Sequence, residues 1–129
     1  MKYPEMYKHT HSTNRGGVER AWRMPDLWDL AAELPVREVY PTDLPEFEHF
    51  MNCQTGNIWW SRGEGIKGSF KMWDMRRHCE RVMQADLSYP ILLNPLGGLM
   101  DGAHRVIKAL ILGVPLKVVQ FTEWPESTL

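Results

Sequence analysis

The chain has 129 residues, of which 43% are hydrophobic and 24% charged, the composition of one soluble globular domain with one core. Its net charge of −1 excludes the strong overall attraction to phosphate by which basic proteins bind nucleic acid. No apolar run approaches the ~20 residues of a membrane span, and the first residues lack the apolar segment of a secretory signal. We therefore expect a cytoplasmic protein that does not contact membranes.

The two cysteines, Cys53 and Cys79, lie far apart and do not form a C-x-x-C pair. Two such residues are too few for a disulfide scaffold, which favours a reducing compartment. Because Cys79 falls on the apolar stripe of a predicted helix, we predict that it is a buried small hydrophobe. Both thiols are predicted to be free and non-catalytic.

Polar residues dominate both ends of the chain. We predict an irregular arm at residues 1–20, a single domain at residues 21–124 and a polar tail at residues 125–129. His9 and His11 alternate and would share one side of an extended arm. Two histidines without a third ligand are weak evidence for a metal, so we predict no metal site.

Three short elements are predicted before residue 53. Pro25 suits the first position of a helix over residues 25–34, and imperfect alternation indicates a strand at residues 36–40. Thr42 suits the N-cap of a second helix at residues 43–52. Glycine-rich residues 53–69 are predicted to form a long loop that carries Trp59 and Trp60. These indoles either stack on a base or complete the core, and the second interpretation is favoured.

A helix is predicted over residues 70–84, with one apolar and one charged face. Its apolar stripe consists of Met72, Met75, Cys79, Val82 and Met83. Arg77 and Arg81 lie four residues apart on the charged face. They are either phosphate contacts or part of a solvated face balanced by Glu80, and both interpretations stay open.

The order strand, turn, strand, helix, strand is predicted for residues 89–121. Apolar runs at residues 90–94 and 99–100 flank an Asn-Pro-Leu-Gly-Gly turn, and Gly113 and Pro115 end the following helix. The helix core face is predicted from its spacing to be Ala103, Val106, Ile107, Leu110 and Ile111. The predicted fold class is α/β (α+β), a small mixed sheet with packed helices.

The joint between strand and helix, at residues 101–105, concentrates the polar chemistry. Asp101 is a good N-cap, and Gly102 permits unusual dihedrals or close approach. His104 and Arg105 follow in the first turn, where the unpaired amides and the helix dipole favour an anion. The predicted phosphate-binding residues are Gly102, Ala103, His104, Arg105 and Lys108, together with Arg77 and Arg81.

The run Gly102-Ala103-His104-Arg105 resembles the G-x-x-R or G-x-H-R core of the ParB/sulfiredoxin-like superfamily. The resemblance covers roughly residues 70–121, with a looser match at 35–48, and includes the strand that begins Tyr89-Pro90-Ile91. It implies the superfamily fold and a nucleotide or phosphate site at this turn. Sulfiredoxins keep a cysteine just before the His-Arg pair, where this chain has Ala103, so sulfinic-acid reduction is not expected. No DNA-binding or dimerisation module follows, so we expect a small domain rather than a complete partition protein.

Two roles for Asp101 stay open. It either caps the helix and pairs with His104 or Arg105, which is favoured, or it orients a nucleophile or metal in phosphoryl transfer. In the second case Asp101 and His104 are the candidate catalytic residues, and neighbouring carboxylates at Glu38, Asp43 and Glu46 would be within reach if the first strand lay beside the motif strand. The candidate cofactor, implied by the resemblance, is a nucleoside triphosphate with Mg²⁺.

The function hypothesis is a domain that binds a nucleotide or another phosphate-bearing small molecule, with phosphotransferase or nucleotide hydrolase activity as its enzymatic form. The alternatives are a non-catalytic protein-interaction module and a ParB-like nuclease. Nucleic acid is not the favoured partner, because the net charge is −1. The sequence leaves the oligomeric state open.

Overall fold

The computed structural model describes residues 10–52 and 72–129, and in these ranges the protein is a mixed α+β domain with two small sheets and four helices. The coarse fold prediction is therefore confirmed. The predicted loop at 53–69, its Trp59-Trp60 pair, Cys53 and His9 lie outside the described residues. None of the helices in the described ranges has the length and apolarity that crossing a bilayer requires.

The first described residues form a β-hairpin, so the prediction of an irregular arm is wrong for residues 10–20. Strand β1, Thr10–Arg15, pairs antiparallel with β2, Val18–Arg23. Gly16 and Gly17 form the two-residue turn with φ of 62° and 79°, the positive φ pair that a tight hairpin turn requires. Trp22 of β2 is completely buried and anchors the hairpin to the domain.

The second sheet has four strands in the order β3-β6-β4-β5, where β3 is Arg37–Val39, β4 is Ile91–Leu93, β5 is Leu99–Asp101 and β6 is Leu116–Gln120. The central strands β4 and β6 are parallel, and the two outer pairings are antiparallel. Helix α4, Ala103–Leu112, makes the crossover from β5 to β6. This connection places the start of α4 at the end of an edge strand.

The remaining helices are α1 (Met24–Ala31), α2 (Phe47–Asn52) and α3 (Met72–Gln84), with a 3-10 turn at Pro41–Asp43. The predicted continuous helix at 43–52 is wrong in its first half. Leu44 is extended, with φ −66° and ψ 139°, because it precedes Pro45 and a residue before proline disfavours the helical region. The helix therefore starts only at Phe47.

Alternate residues of the central strands enter two separate cores. Leu92 and Val119 pack on one face of the sheet with Trp22 and the buried side of α1. Ile91 and Val118 pack on the opposite face with the buried side of α4. Period-two alternation of this kind is what a sheet covered on both faces requires.

The apolar stripe predicted for α3 is not buried. Met72 is 79% exposed and Met83 is 74% exposed, and the free thiol of Cys79 is also exposed. Of the predicted stripe only Val82 is half-buried, and the side that packs against α4 carries it together with the half-buried His78. Helix α3 is therefore rotated about its axis relative to the prediction. The face that docks on α4 contains both polar and apolar residues, and the methionines lie on the exposed face.

The last residues pack on the hairpin, so the predicted tail at 125–129 is also wrong. The amide of Ala21 donates to Ser127 Oγ at 3.2 Å, and the Thr128 amide donates to the Ala21 carbonyl at 3.0 Å. The indole of Trp124 stacks on that of Trp22, with ring centroids 6.2 Å apart. The C-terminal segment, residues 124–128, thus covers the outer edge of β2.

Candidate functional site

The backbone at the strand-to-helix joint needs glycine at position 102. Gly102 has φ +115°, and a Cβ there would lie 2.5 Å from Ile91 Cγ2. Positive φ and this close contact each disfavour any other residue. Gly102 also occupies the N-cap position of α4 without a side-chain cap bond. The prediction that Asp101 is the N-cap is therefore wrong, because Asp101 is the last residue of β5.

The carboxylate of Asp101 is used within the protein. Its Oδ2 accepts a hydrogen bond from Trp28 Nε1 at 3.0 Å and another from Arg105 Nη2 at 3.1 Å. The Asp101 side chain is 8% exposed and that of Arg105 is 6% exposed. The guanidinium carbon of Arg105 also lies 5.7 Å from the centroid of the Trp28 ring. Of the two open roles for Asp101, this geometry corresponds to pairing with Arg105.

Burial of Arg105 corrects the predicted core face of α4. The buried positions are Arg105, Val106 and Ala109, whereas Ile111 is 70% exposed. Charged side chains are rarely buried without a partner, and Asp101 supplies that partner four residues earlier. The helix is thus turned so that the cation faces the domain interior and β5.

His104 lies at the boundary between α4 and α3, next to other cationic groups. Its ring stacks on that of His78, with centroids 6.3 Å apart and planes inclined by 24°. Burial, together with the nearby charges of Arg81, His78 and Arg105, lowers the pKa of His104 from its ordinary 6.5 to about 4. The imidazole is therefore neutral at pH 7 in a positively charged environment.

Lys108 is directed toward the end of α3. Its Nζ donates to the carbonyl oxygens of Met83 at 2.8 Å and Ala85 at 2.7 Å. Unpaired carbonyls at a helix C-terminus are suited to a lysine ammonium. Two of the three donors of Lys108 are thus occupied by the protein, and the residue ties α3 to α4.

The other predicted site residues are the remaining phosphate-binding candidates and the carboxylates expected near them. Ala103 begins α4 beside Gly102, and Arg77 and Arg81 are exposed on α3. The neighbouring carboxylates do not gather at the joint. Glu38 lies on β3, at the opposite edge of the sheet from β5, and Glu46 pairs with Arg15 at 3.1 Å.

Sequence reasoning missed two residues of this site, Trp28 and His78. Trp28 reaches Asp101 across 73 positions of the chain, and a local pattern carries no signal of such a contact. His78 has no local sequence signal of a partner either, because its contact with His104 depends on which face of α3 docks on α4. Among the described residues, no three His, Cys, Asp or Glu side chains come together as the ligands of a metal ion would.

A separate cavity of about 150 Å³ lies between α2 and the β4–β5 turn. Apolar side chains, including Leu44, Phe50 and Leu93, line it, and the Arg15–Glu46 ion pair lies beside it. Because the carboxylate of Glu46 neutralises the guanidinium of Arg15, this cavity is a less favourable site for an anion than the joint is.

Comparison with known proteins gives no match to a protein-family model, to a curated protein or to a solved structure. What the joint at residues 101–105 binds is therefore inferred from its own geometry and charge.

Proposed function

We propose that the start of α4 binds a phosphate-bearing ligand, with a nucleotide as the candidate, and that the chain is a small member of the ParB/sulfiredoxin-like superfamily. The observation that carries the proposal is the meeting of His104, His78 and Arg81 at the N-terminus of a ten-residue helix. A helix N-terminus and the guanidinium of Arg81 beside it both favour an anion, and the neutral ring of His104 can add a hydrogen-bond donor. The resemblance of residues 102–105 to the superfamily motif supports the same conclusion.

In this proposal the residues of the joint have different tasks. Arg81 and the ring of His104 contact the phosphate directly, and the first amides of α4 add donors. Arg77, one turn from Arg81 on the same exposed face, extends the cationic surface. Arg105 acts from beneath, because its buried pair with Asp101 fixes the turn at Gly102. Lys108 contributes by holding α3 against α4.

The geometry favours binding over phosphoryl transfer through Asp101. A catalytic carboxylate must reach the substrate hydroxyl or a metal ion, whereas Asp101 is nearly buried and accepts from two internal donors. His104 is the remaining candidate for a catalytic group, because it lies at the start of α4, although its pKa of about 4 makes it a weak base at pH 7. A hydrolase or phosphotransferase would then depend on His104, with Mg²⁺ supplied together with the nucleotide.

One observation favours the alternative of a protein-interaction module. The outward face of α3 carries several large exposed apolar side chains, Met72, Trp73, Met75 and Met83. Exposed apolar patches of this kind often mark protein-binding surfaces. A module of this type would bind no phosphate at the joint.

Calorimetric titration with inorganic phosphate, AMP and ATP, each with and without Mg²⁺, tests the proposal. We expect Arg81→Gln to weaken binding by roughly ten- to a hundredfold, since a hydrogen bond to a charged group contributes about 1.5–3 kcal/mol. The control is Arg76→Gln on the same helix, whose guanidinium is exposed and pairs with Glu80 at 2.8 Å. The proposal fails if no ligand binds at millimolar concentration, or if the two variants weaken binding equally.

A further inference from the structure

The two outer edges of the N-terminal hairpin differ in what covers them. The outer edge of β2 is covered, since the amides of Ala21 and Arg23 donate to the hydroxyls of Ser127 and Thr128, and the Ala21 carbonyl accepts from the Thr128 amide. Among the described elements, β1 makes its extensive contacts with β2 alone. Within residues 10–52 and 72–129, therefore, no other element covers the outer edge of β1.

The hairpin register identifies which groups lie along this open edge. Ala21 is paired in register with Ser12, and its main-chain groups point away from β1 toward the C-terminal segment. Directly opposed residues of an antiparallel ladder direct their main-chain groups either toward each other or both outward. Ser12 must therefore direct its N–H and C=O outward, and so must Thr10 and Asn14, which share its parity.

Between Thr10 and Asn14, and within the described part of the chain, this edge lacks the devices by which proteins discourage strand pairing. Charged side chains, proline, a bulge or a covering segment are the usual means, and the open groups here belong to Thr10, Ser12 and Asn14, which are uncharged. The register with β2 runs without a bulge from Thr10 to Arg15. The three side chains are small, polar and exposed. They leave the main chain accessible to another strand.

We propose that β1 pairs with β1 of a second copy of this chain, antiparallel about a two-fold axis at Ser12. This register sets Ser12 of one copy opposite Ser12 of the other and Thr10 opposite Asn14. The outward groups of these residues then form about six main-chain hydrogen bonds in alternating close pairs. An isologous contact of this kind closes as a dimer and leaves no second open edge on β1.

The charges of the chain favour a second copy as the partner. No charged residue faces its own copy in this register between Thr10 and Asn14, and the net charge of −1 gives little mutual repulsion. One strand edge buries less surface than the roughly 1,200 Å² of a standard stable interface. The dimer is therefore weak, with a dissociation constant on the order of micromolar rather than nanomolar.

Sedimentation velocity of the full chain over about 1–300 μM, in low salt, tests the proposal against two charge variants. Lysine or glutamate at position 12 sets like charges opposite each other at the two-fold axis, where such pairs are unfavourable. We expect Ser12→Lys and Ser12→Glu each to weaken self-association about three- to tenfold. Mixing the two variants pairs opposite charges and restores association to at least the original strength. Ser12→Ala is the control and leaves the dimer unchanged.

Recovery in the mixture separates edge pairing from a folding defect, because a misfolded variant would not regain association. Intrinsic fluorescence of the six tryptophans, which include Trp22 and Trp124 stacked at the hairpin, verifies that each variant keeps its fold. A chain that is monomeric up to the highest concentration overturns the proposal. A dimer that responds equally to all three substitutions, or a mixture no stronger than its components, also overturns it.

Discussion

Replacing Arg105 with methionine removes the cation of the buried pair while keeping a side chain of similar length. The carboxylate of Asp101, which is 8% exposed, then keeps the hydrogen bond from Trp28 Nε1 but loses its cationic partner. Breaking a buried ion pair by removing one partner costs about 3–5 kcal/mol, because an uncompensated charge is left in the interior. For a domain of this size, whose total stability is about 5–15 kcal/mol, the melting temperature should fall by about 10–20 °C.

The chain offers a matched control at the same sequence spacing. Arg76 and Glu80 also form an i,i+4 pair, at 2.8 Å, but their side chains are 66% and 48% exposed. Exposed helix pairs contribute about 0.3–0.5 kcal/mol, so Arg76→Met should be close to neutral. The double variant Asp101→Leu/Arg105→Met removes both charges and should be less destabilised than the sum of its single variants by about 2–3 kcal/mol.

Urea denaturation, followed by far-ultraviolet circular dichroism, gives the free energies of unfolding of the wild type, the two single variants Asp101→Leu and Arg105→Met, their double variant and the control Arg76→Met. The reasoning predicts a large loss for Arg105→Met, a small one for Arg76→Met and a strong coupling between Asp101 and Arg105. If Arg105→Met costs less than about 1 kcal/mol, the buried pair does not hold the joint together. Loss of phosphate binding at unchanged stability would instead make Arg105 a direct ligand.

Three further outcomes are expected. Gly102→Ala should lower the free energy of unfolding, measured in urea, by about 2–4 kcal/mol, because the new Cβ would lie 2.5 Å from Ile91 at a residue with φ +115°. The control Gly16→Ala should cost about 1 kcal/mol, because a Cβ there has no neighbouring atom within 4 Å. The folded pKa of His104 is about 4 against an ordinary 6.5, so between these values the unfolded state binds more protons and stability falls as pH decreases. The loss reaches about 2 kcal/mol after allowance for solvent screening, and urea titrations at pH 7 and 4.5 should show it in the wild type and not in His104→Gln. Trp124→Ala should lower the melting temperature by several degrees, because it removes an indole stacked on β2; an unchanged melting curve would mean that the C-terminal segment contributes no stability.

The elements around the joint were predictable because their signals are local. Apolar runs bounded by turn residues indicated β4, β5 and β6, and Gly113, at φ 68°, marks the end of α4 as expected of a C-terminal glycine. Gly102 was singled out because its type permits the conformation that it adopts. Short-range chemistry of this kind is contained in a few consecutive residues.

The hairpin and the C-terminal segment were missed for different reasons. Gly16-Gly17 is a recognised two-residue turn signal, but the strands beside it alternate polar residues instead of apolar ones, so periodicity gave no support. The packing of Trp124 on Trp22 depends on a contact between residues about 100 positions apart. Sequence periodicity describes single elements and carries no information on such a pairing.

The orientation of α4 was missed because Arg105 was assigned to the solvent face by its charge. Its burial becomes understandable only with Asp101 at the end of β5 and Trp28 on α1, the second of which lies 73 positions from Asp101. The predicted phosphate site changes accordingly. Its exposed cations in the described structure are Arg77 and Arg81 on α3, whereas Arg105 is buried.

The covering of β2 by the C-terminal segment has a consequence for the order in which the chain folds. The bonds at Ala21 and Arg23 join residues 106 and 105 positions apart, and closing a loop of about 100 residues costs about 4 kcal/mol in chain entropy. A hairpin forms in about 1–10 μs, whereas a ribosome adds about 5–20 residues per second. During synthesis the hairpin thus waits for seconds with the edges of both strands open, and β2 is protected only when Ser127 and Thr128 have been added.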